Sequence, residues 1–205
     1  MISRRVAIAG LLSFTLPQQS GLAKASRIVA EPWAEKLIAA AETQIGVTLS
    51  YDPAYLRIKF PGGDVPRESG VCTDVIIRAY RDAFGFDLQQ AVNADMRRNF
   101  GAYPKNWGMA RADSNIDHRR VPNLRVFFKR NGADLPVPQN AVDYLPGDVV
   151  TQNLPGNLAH IGLVSNQLNA GQTHPLVIHN IGGGAQIEDR LIAFEITGRY
   201  RFKAE

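Results

Sequence analysis

The sequence predicts an α+β domain in which N-terminal helices pack on a C-terminal antiparallel β-sheet. Three observations point there. Apolar residues recur at helical spacing in the first half, short β-rich runs separated by Pro, Gly and Asn clusters fill the last third, and no internal repeat breaks that order. At 205 residues, with 45% hydrophobic and 20% charged residues, the chain suits one folded domain once a terminal leader is set aside.

Each element follows from local signals. Pro32 suits a first helical turn, Trp33, Leu37, Ala41 and Ile45 recur along one face, and Gly46 suits the stop. The stretch to Gly70 reads as a structured loop with one short strand at Leu56–Phe60. A second helix runs from Cys72 to Phe84, where Val75, Ile76, Ala79, Tyr80 and Ala83 form an apolar face and Gly85 supplies the stop. Residues Leu88 to Arg98 permit a third. Leu124 to Lys129 fits either a helix or an extended segment. Strands are expected at Asp148–Gln152, His160–Ser165, Leu176–Ile181 and Phe194–Tyr200, and the run Ile181–Ala185 reads as a turn.

Residues 1–25 read as an export signal, with Arg4 and Arg5 leading into an apolar run and Ala23-Lys24-Ala25 as the cleavage site. That leaves 26–205 as a single exported, periplasmic domain, by a secretory or a twin-arginine route. Arg4, Arg5 and Lys24 leave with the signal, and the formal charge falls from +4 to +1. Nucleic-acid binding thereby loses its electrostatic support, and no nucleic-acid motif is present. No run is long and apolar enough to be read as an integral membrane span.

The single cysteine, Cys72, cannot close an intramolecular disulfide, so it is a buried small hydrophobe, half of an intermolecular bridge, or a reactive thiol. Its place at a helix start favours the last, because unpaired N–H groups and the helix dipole stabilise a thiolate and an oxyanion. His160 opens a strand and would serve as base. Setting His160 opposite His179 in a hairpin, with Gly162 opposite Val177, puts both imidazoles on one face, where the second orients the first. Asn180 is the alternative third member, since a one-residue slip turns it inward. Taken alone, each of these residues reads as structural; their order along the chain makes the constellation. The Asp117-His118-Arg119-Arg120 cluster fits either an anion site or a salt-bridged loop. No metal-ligand spacing occurs, so no metal and no other cofactor is expected.

The blocks Gly70-Val71-Cys72-Thr73-Asp74-Val75, Leu145-Pro146-Gly147-Asp148-Val149-Val150, His160-Ile161-Gly162-Leu163-Val164 and Val177-Ile178-His179-Asn180 resemble the ordered motifs of the NlpC-type cell-wall cysteine peptidases. More closely, Tyr51-Asp52-Pro53, Gly70 to Asp74 and Asn115 to Val121 with Asn123-Leu124 resemble the domain-of-unknown-function 1287 family, over nearly all of the chain after residue 25. These resemblances imply a papain-like fold, with Cys72 as nucleophile, His160 as base and His179 as the polar third residue. Tyr51, Asp74, Asp117, His118 and Arg119 are the candidate substrate-binding residues. Thr73-Asp74 departs from the small Ser-Gly pair of the NlpC-type pattern.

The resulting expectation is an exported cysteine hydrolase that cleaves an amide bond in peptidoglycan stem peptides through a thioester acyl-enzyme. The rivals are a non-catalytic cell-wall or partner-binding module on the same fold, and a thiol acyltransferase or amidase acting on a lipid or another amide. The sequence does not indicate an oligomeric state.

Overall fold

The computed structural model describes residues 26–204, so the expected export signal lies outside the described residues. Within them the chain is a mixed α+β structure of four α-helices and an antiparallel sheet. Helix α1 spans Pro32–Glu42 and buries Ala34, Leu37, Ile38 and Ala41, the positions a 3.6-residue period places on one face. It is shorter than its pattern suggested, because the chain runs on through tight turns to Gly46, whose φ of +78° suits glycine.

Helix α2, Cys72–Phe84, starts at the expected residue and stops at Gly85, which takes the left-handed conformation at φ 66°. Helix α3, Leu88–Arg98, also matches its expected bounds and is capped by the Asp87 carboxylate, which accepts the Gln89 N–H. The ambiguous segment resolves as helix α4, Val121–Arg130, with Pro122 in its first turn and Val121, Leu124, Phe127 and Phe128 buried along one stripe.

The strand expected at Leu56–Phe60 is absent. Its backbone groups bond to side chains instead: Asn115 Oδ1 accepts the Ile58 N–H at 3.0 Å, and the Lys59 carbonyl accepts from Gln89 Nε2 at 3.0 Å. The strands of this region are two residues each, β1 (Ser50–Tyr51) and β2 (Ser69–Gly70), paired in parallel.

The main sheet holds β3 (Asp134–Leu135), β4 (Val149–Leu154), β5 (Leu158–Leu168), β6 (Pro175–Asn180), β7 (Ala185–Glu188) and β8 (Glu195–Tyr200), in the order β3-β8-β4-β5-β6-β7. Strands β4, β5, β6 and β8 fall where the β-rich runs lie; β3 and β7 were not anticipated. The β5–β6 register pairs Leu163 with Ile178 and Val164 with Val177, two residues away from the pairing expected for His160 and His179. An even shift leaves side chains on the same face, so the two imidazoles still share one.

The core is two-sided. Val149, Ile161, Leu163, Ile178 and Tyr200 pack under α1, α2 and α4 in a cluster that includes Cys72, Val75, Ile76, Tyr80 and Phe128. Val150, Val164 and Val177 face the other way, against Tyr144 and Leu191. Asp148 ties the entrance of β4 to β8 and the segment after it: its carboxylate accepts the Leu145 N–H and pairs with Arg199 and Arg201 at 2.7 Å each.

Candidate functional site

Cys72 is the first residue of α2 and is 3% exposed. Three groups reach its thiol: the backbone N–H of Ile161, the Tyr51 hydroxyl and the backbone of Thr73. Burial nevertheless dominates and pushes the thiol up to about 11, with the Asp74 charge adding to the rise. The thiol is therefore neutral at physiological pH in the resting site, against the sequence-based expectation of a lowered value. Tyr51, whose hydroxyl meets the thiol, is 40% exposed. Burial and the neighbouring thiol push its own hydroxyl up as well.

The first turn of α2 is held from two directions. Asp74 accepts the Val71 N–H at 2.7 Å, and Arg119 grips the same carboxylate with Nε and Nη2, both at 2.9 Å. Both side chains are buried, 4% and 3% exposed respectively. Thr73 adds a bond from its hydroxyl to the Arg119 carbonyl, at 3.1 Å. The Thr73-Asp74 pair thus joins α2 to the 3-10 turn Asp117–Arg119. Arg119 also donates to the Asp52 and Ala54 carbonyls, which ties the loop carrying Tyr51 to the same turn.

The rest of the Asp117–Arg119 turn is internal. Asp117 is 1% exposed, accepts the Asp113 N–H and pairs with Arg120 at 3.2 Å, and burial raises its pKa. His118 is 3% exposed; burial, aided by the Arg119 charge, depresses it to about 4. Of the five residues read as substrate-binding, four (Asp74, Asp117, His118 and Arg119) are packed inside, and Tyr51 alone is exposed.

Alternation along β5 and β6 places His160 and His179 on the sheet face away from Ile161 and Ile178. Gly162 makes the room: a methyl group there would press into the Val177 side chain and approach the His179 Cβ at 3.4 Å. His160 Nε2 and His179 Nδ1 are 2.8 Å apart, and His179 Nε2 lies 3.0 Å from Glu188 Oε2. Both rings are buried, at 2% and 0% exposure. With Glu188 accepting from His179 Nε2–H, His179 Nδ1 is the acceptor for His160 Nε2–H, which leaves His160 Nδ1 as the free basic nitrogen. Burial, followed by the nearby His179, lowers His160 to about 3; burial also lowers His179, opposed by Glu188.

Ile161, whose N–H reaches the sulfur, follows His160 directly, but alternation along β5 turns the His160 ring to the opposite face, and no hydrogen bond joins the thiol to either imidazole among the described residues. Asn180 plays a different part from the third-member role considered for it. Its Nδ2 donates to the Ser50 and Gly70 carbonyls, at 3.1 and 3.0 Å, and pins β1 and β2 beside the start of α2.

Glu188 was missed by the sequence reading. It lies on β7, opposite Val177 and diagonal to His179, and the signal was present: Ala185–Glu188 follows a triple-glycine turn and alternates as a strand does.

Among known proteins, the family model described as "Domain of unknown function (DUF1287)" matches residues 38–202. The uncharacterized protein YijF of Escherichia coli (strain K12) is 53% identical over 162 residues, which cover 79% of this chain and 78% of that protein. The matched span contains every residue of the site just described, and the chain belongs to the DUF1287 family.

Proposed function

We propose that this protein is an exported cysteine hydrolase on a papain-like, NlpC-type fold, cleaving an amide bond in peptidoglycan stem peptides. The observation that carries the reading is the chain His160–His179–Glu188, a carboxylate and two buried imidazoles that leave His160 Nδ1 as a free basic nitrogen. A core needs no such chain. Two buried imidazoles ordered by a carboxylate are the arrangement that fixes a base in one tautomer.

In the reaction His160 Nδ1 takes the Cys72 proton as the sulfur attacks the amide carbonyl. The C–N bond breaks, the same proton passes to the leaving amine, and water then hydrolyses the thioester. N–H groups at the first turn of α2 face the developing oxyanion. Because the resting thiol is neutral, deprotonation accompanies attack instead of preceding it. Export rests on the pattern of residues 1–25, and the stem-peptide substrate rests on the family resemblance.

The test is digestion of purified peptidoglycan by wild type and Cys72→Ala, with released fragments read by mass spectrometry. Fragments from wild type alone support the proposal; identical outputs overturn the substrate. One observation favours a second reading, a non-catalytic binding module: the thiol is buried and raised to about 11, as an inert core cysteine would be. Release of fragments by wild type but not by Cys72→Ala eliminates it.

A further inference from the structure

Beside the Tyr51 loop lies an open groove of about 1220 Å³, between residues 55–60, helix α3 and residues 109–115, with a smaller hollow continuing along α3. Its charge is unusual for this molecule. Arg57, Arg97 and Arg111 line the groove and Arg98 lines its continuation, all four exposed. Every other arginine among the described residues meets a carboxylate within 4.0 Å or, for Arg125, donates to the Thr197 carbonyl at 2.8 Å. The side chains of these four make no ion pair or hydrogen bond among the described residues. The guanidinium groups without a protein partner are thus gathered at one place, where mutual repulsion disfavours them unless an anion joins.

A second observation is independent of charge. Asn93 lines both the groove and its continuation, is 6% exposed, and its side chain makes no hydrogen bond among the described residues. The part of this residue that remains accessible opens on the groove, so its amide is free to bond a ligand there. Phe60 and Phe100 give the groove apolar walls.

We propose that this groove binds an acidic peptide, with carboxylates on Arg57, Arg97, Arg98 and Arg111 and a backbone amide on Asn93. A guanidinium fork matches a carboxylate in two parallel bonds, and an asparagine amide matches a peptide group as both donor and acceptor. The choice of a peptide over other carboxylate-bearing molecules rests on the reading of Cys72 as the nucleophile of an amide hydrolase. Chain geometry agrees: Tyr55 lines the groove and Tyr51 meets the thiol, and four residues span at most about 14 Å. A ligand extended along the groove would reach the thiol within a few residues of its own.

The experiment is isothermal titration of the protein with acetylated, amidated hexaglutamate, with hexaglutamine, and with tripolyphosphate, at low and high salt. Wild type and Cys72→Ala bind hexaglutamate alike, and added salt weakens binding. Hexaglutamine binds at least about tenfold more weakly, and Arg57→Gln/Arg97→Gln, two exposed substitutions that leave the core untouched, loses at least about tenfold for hexaglutamate. Equal affinity for hexaglutamine, an unchanged double variant, or tighter binding of tripolyphosphate overturns the inference, the last in favour of a phosphate ligand. The two proposals fail separately. Hexaglutamate binding without peptidoglycan cleavage removes the hydrolase and keeps the groove; cleavage at an unchanged rate by the double variant, with binding unchanged, does the reverse.

Discussion

Glu188 fixes His179, 3.0 Å from its Nε2, and through it the imidazole of His160, 2.8 Å further on. The carboxylate is 27% exposed while both rings are buried, so the chain runs inward from the sheet edge. If this is a catalytic relay, truncating it affects turnover more than binding. Glu188→Gln keeps the shape but offers His179 an amide that can present its NH2 group, which disturbs the tautomer. It is expected to lower kcat by roughly 10 to 100-fold at little change in KM, and His160→Ala by at least about 100-fold. Steady-state kinetics on the fragment released from peptidoglycan checks both; a melting temperature lowered in both variants with kcat unchanged below it would mark the chain as structural.

The thiol sets a second expectation. With Cys72 at about 11, alkylation by iodoacetamide in the free protein should climb about tenfold per pH unit from pH 7 upward and show no plateau near pH 6. Tyr51→Ala opens the side on which the hydroxyl stands and removes one donor, and is expected to speed alkylation at every pH. A plateau below pH 7 in wild type would show that a thiolate–imidazolium pair already exists at rest. That would reverse the electrostatic account given above.

Buried neutral histidines also govern acid stability. His118 falls from 6.5 to about 4 and His160 from 6.5 to about 3, both by burial first. Below pH 6.5 the unfolded chain takes up protons that the folded chain refuses. Stability is therefore complete above that pH and declines as pH falls, His118 ceasing to contribute further loss near pH 4 and His160 near pH 3. The limiting slope is ~1.4 kcal/mol per pH unit for each group. Urea midpoints at pH 7, 5.5 and 4.5 should fall in that order, and His118→Gln should flatten the decline. Equal midpoints would show that these rings are hydrated.

Local signals explain what the sequence made legible. Helix α2 could be bounded at both ends because Gly85 must adopt φ 66° and Cys72 begins an unbroken apolar face. The strands at β4, β5, β6 and β8 stood out because Gly, Pro and Asn separate them. The β5–β6 register did not, because an irregularity between Val164 and Leu168 changes the pairing, and no single residue announces it. The contact between Tyr51 and Cys72 depends on a parallel pairing of only two residues per strand, too short for any periodic signal. Asp74 and Arg119 are 45 residues apart, and Asp52 and Arg119 are 67, so nothing local distinguishes a buried partner from a ligand-binding charge. The two histidines were readable as a pair because an even register error preserves the face on which they stand.

That burial gives the Asp74–Arg119 pair a use as a test of the reading that these residues touch substrate. Replacing Arg119 by Met leaves the Asp74 carboxylate buried at 4% exposure with only the Val71 N–H as a partner, and removes the hold on the Tyr51 loop. The expected loss is about 3–5 kcal/mol, the penalty for an uncompensated buried charge. Asp74→Asn, which can still accept the Val71 N–H, should lose less. The double variant Asp74→Asn/Arg119→Met should recover part of the loss, because two partners removed together leave no orphaned charge. A substrate-binding role predicts a different pattern, a rise in KM with an unaltered urea midpoint. Urea unfolding of the three variants beside wild type separates the two, and midpoints within about 0.5 kcal/mol of wild type would show that the pair contributes nothing to holding α2 against the Asp117–Arg119 turn.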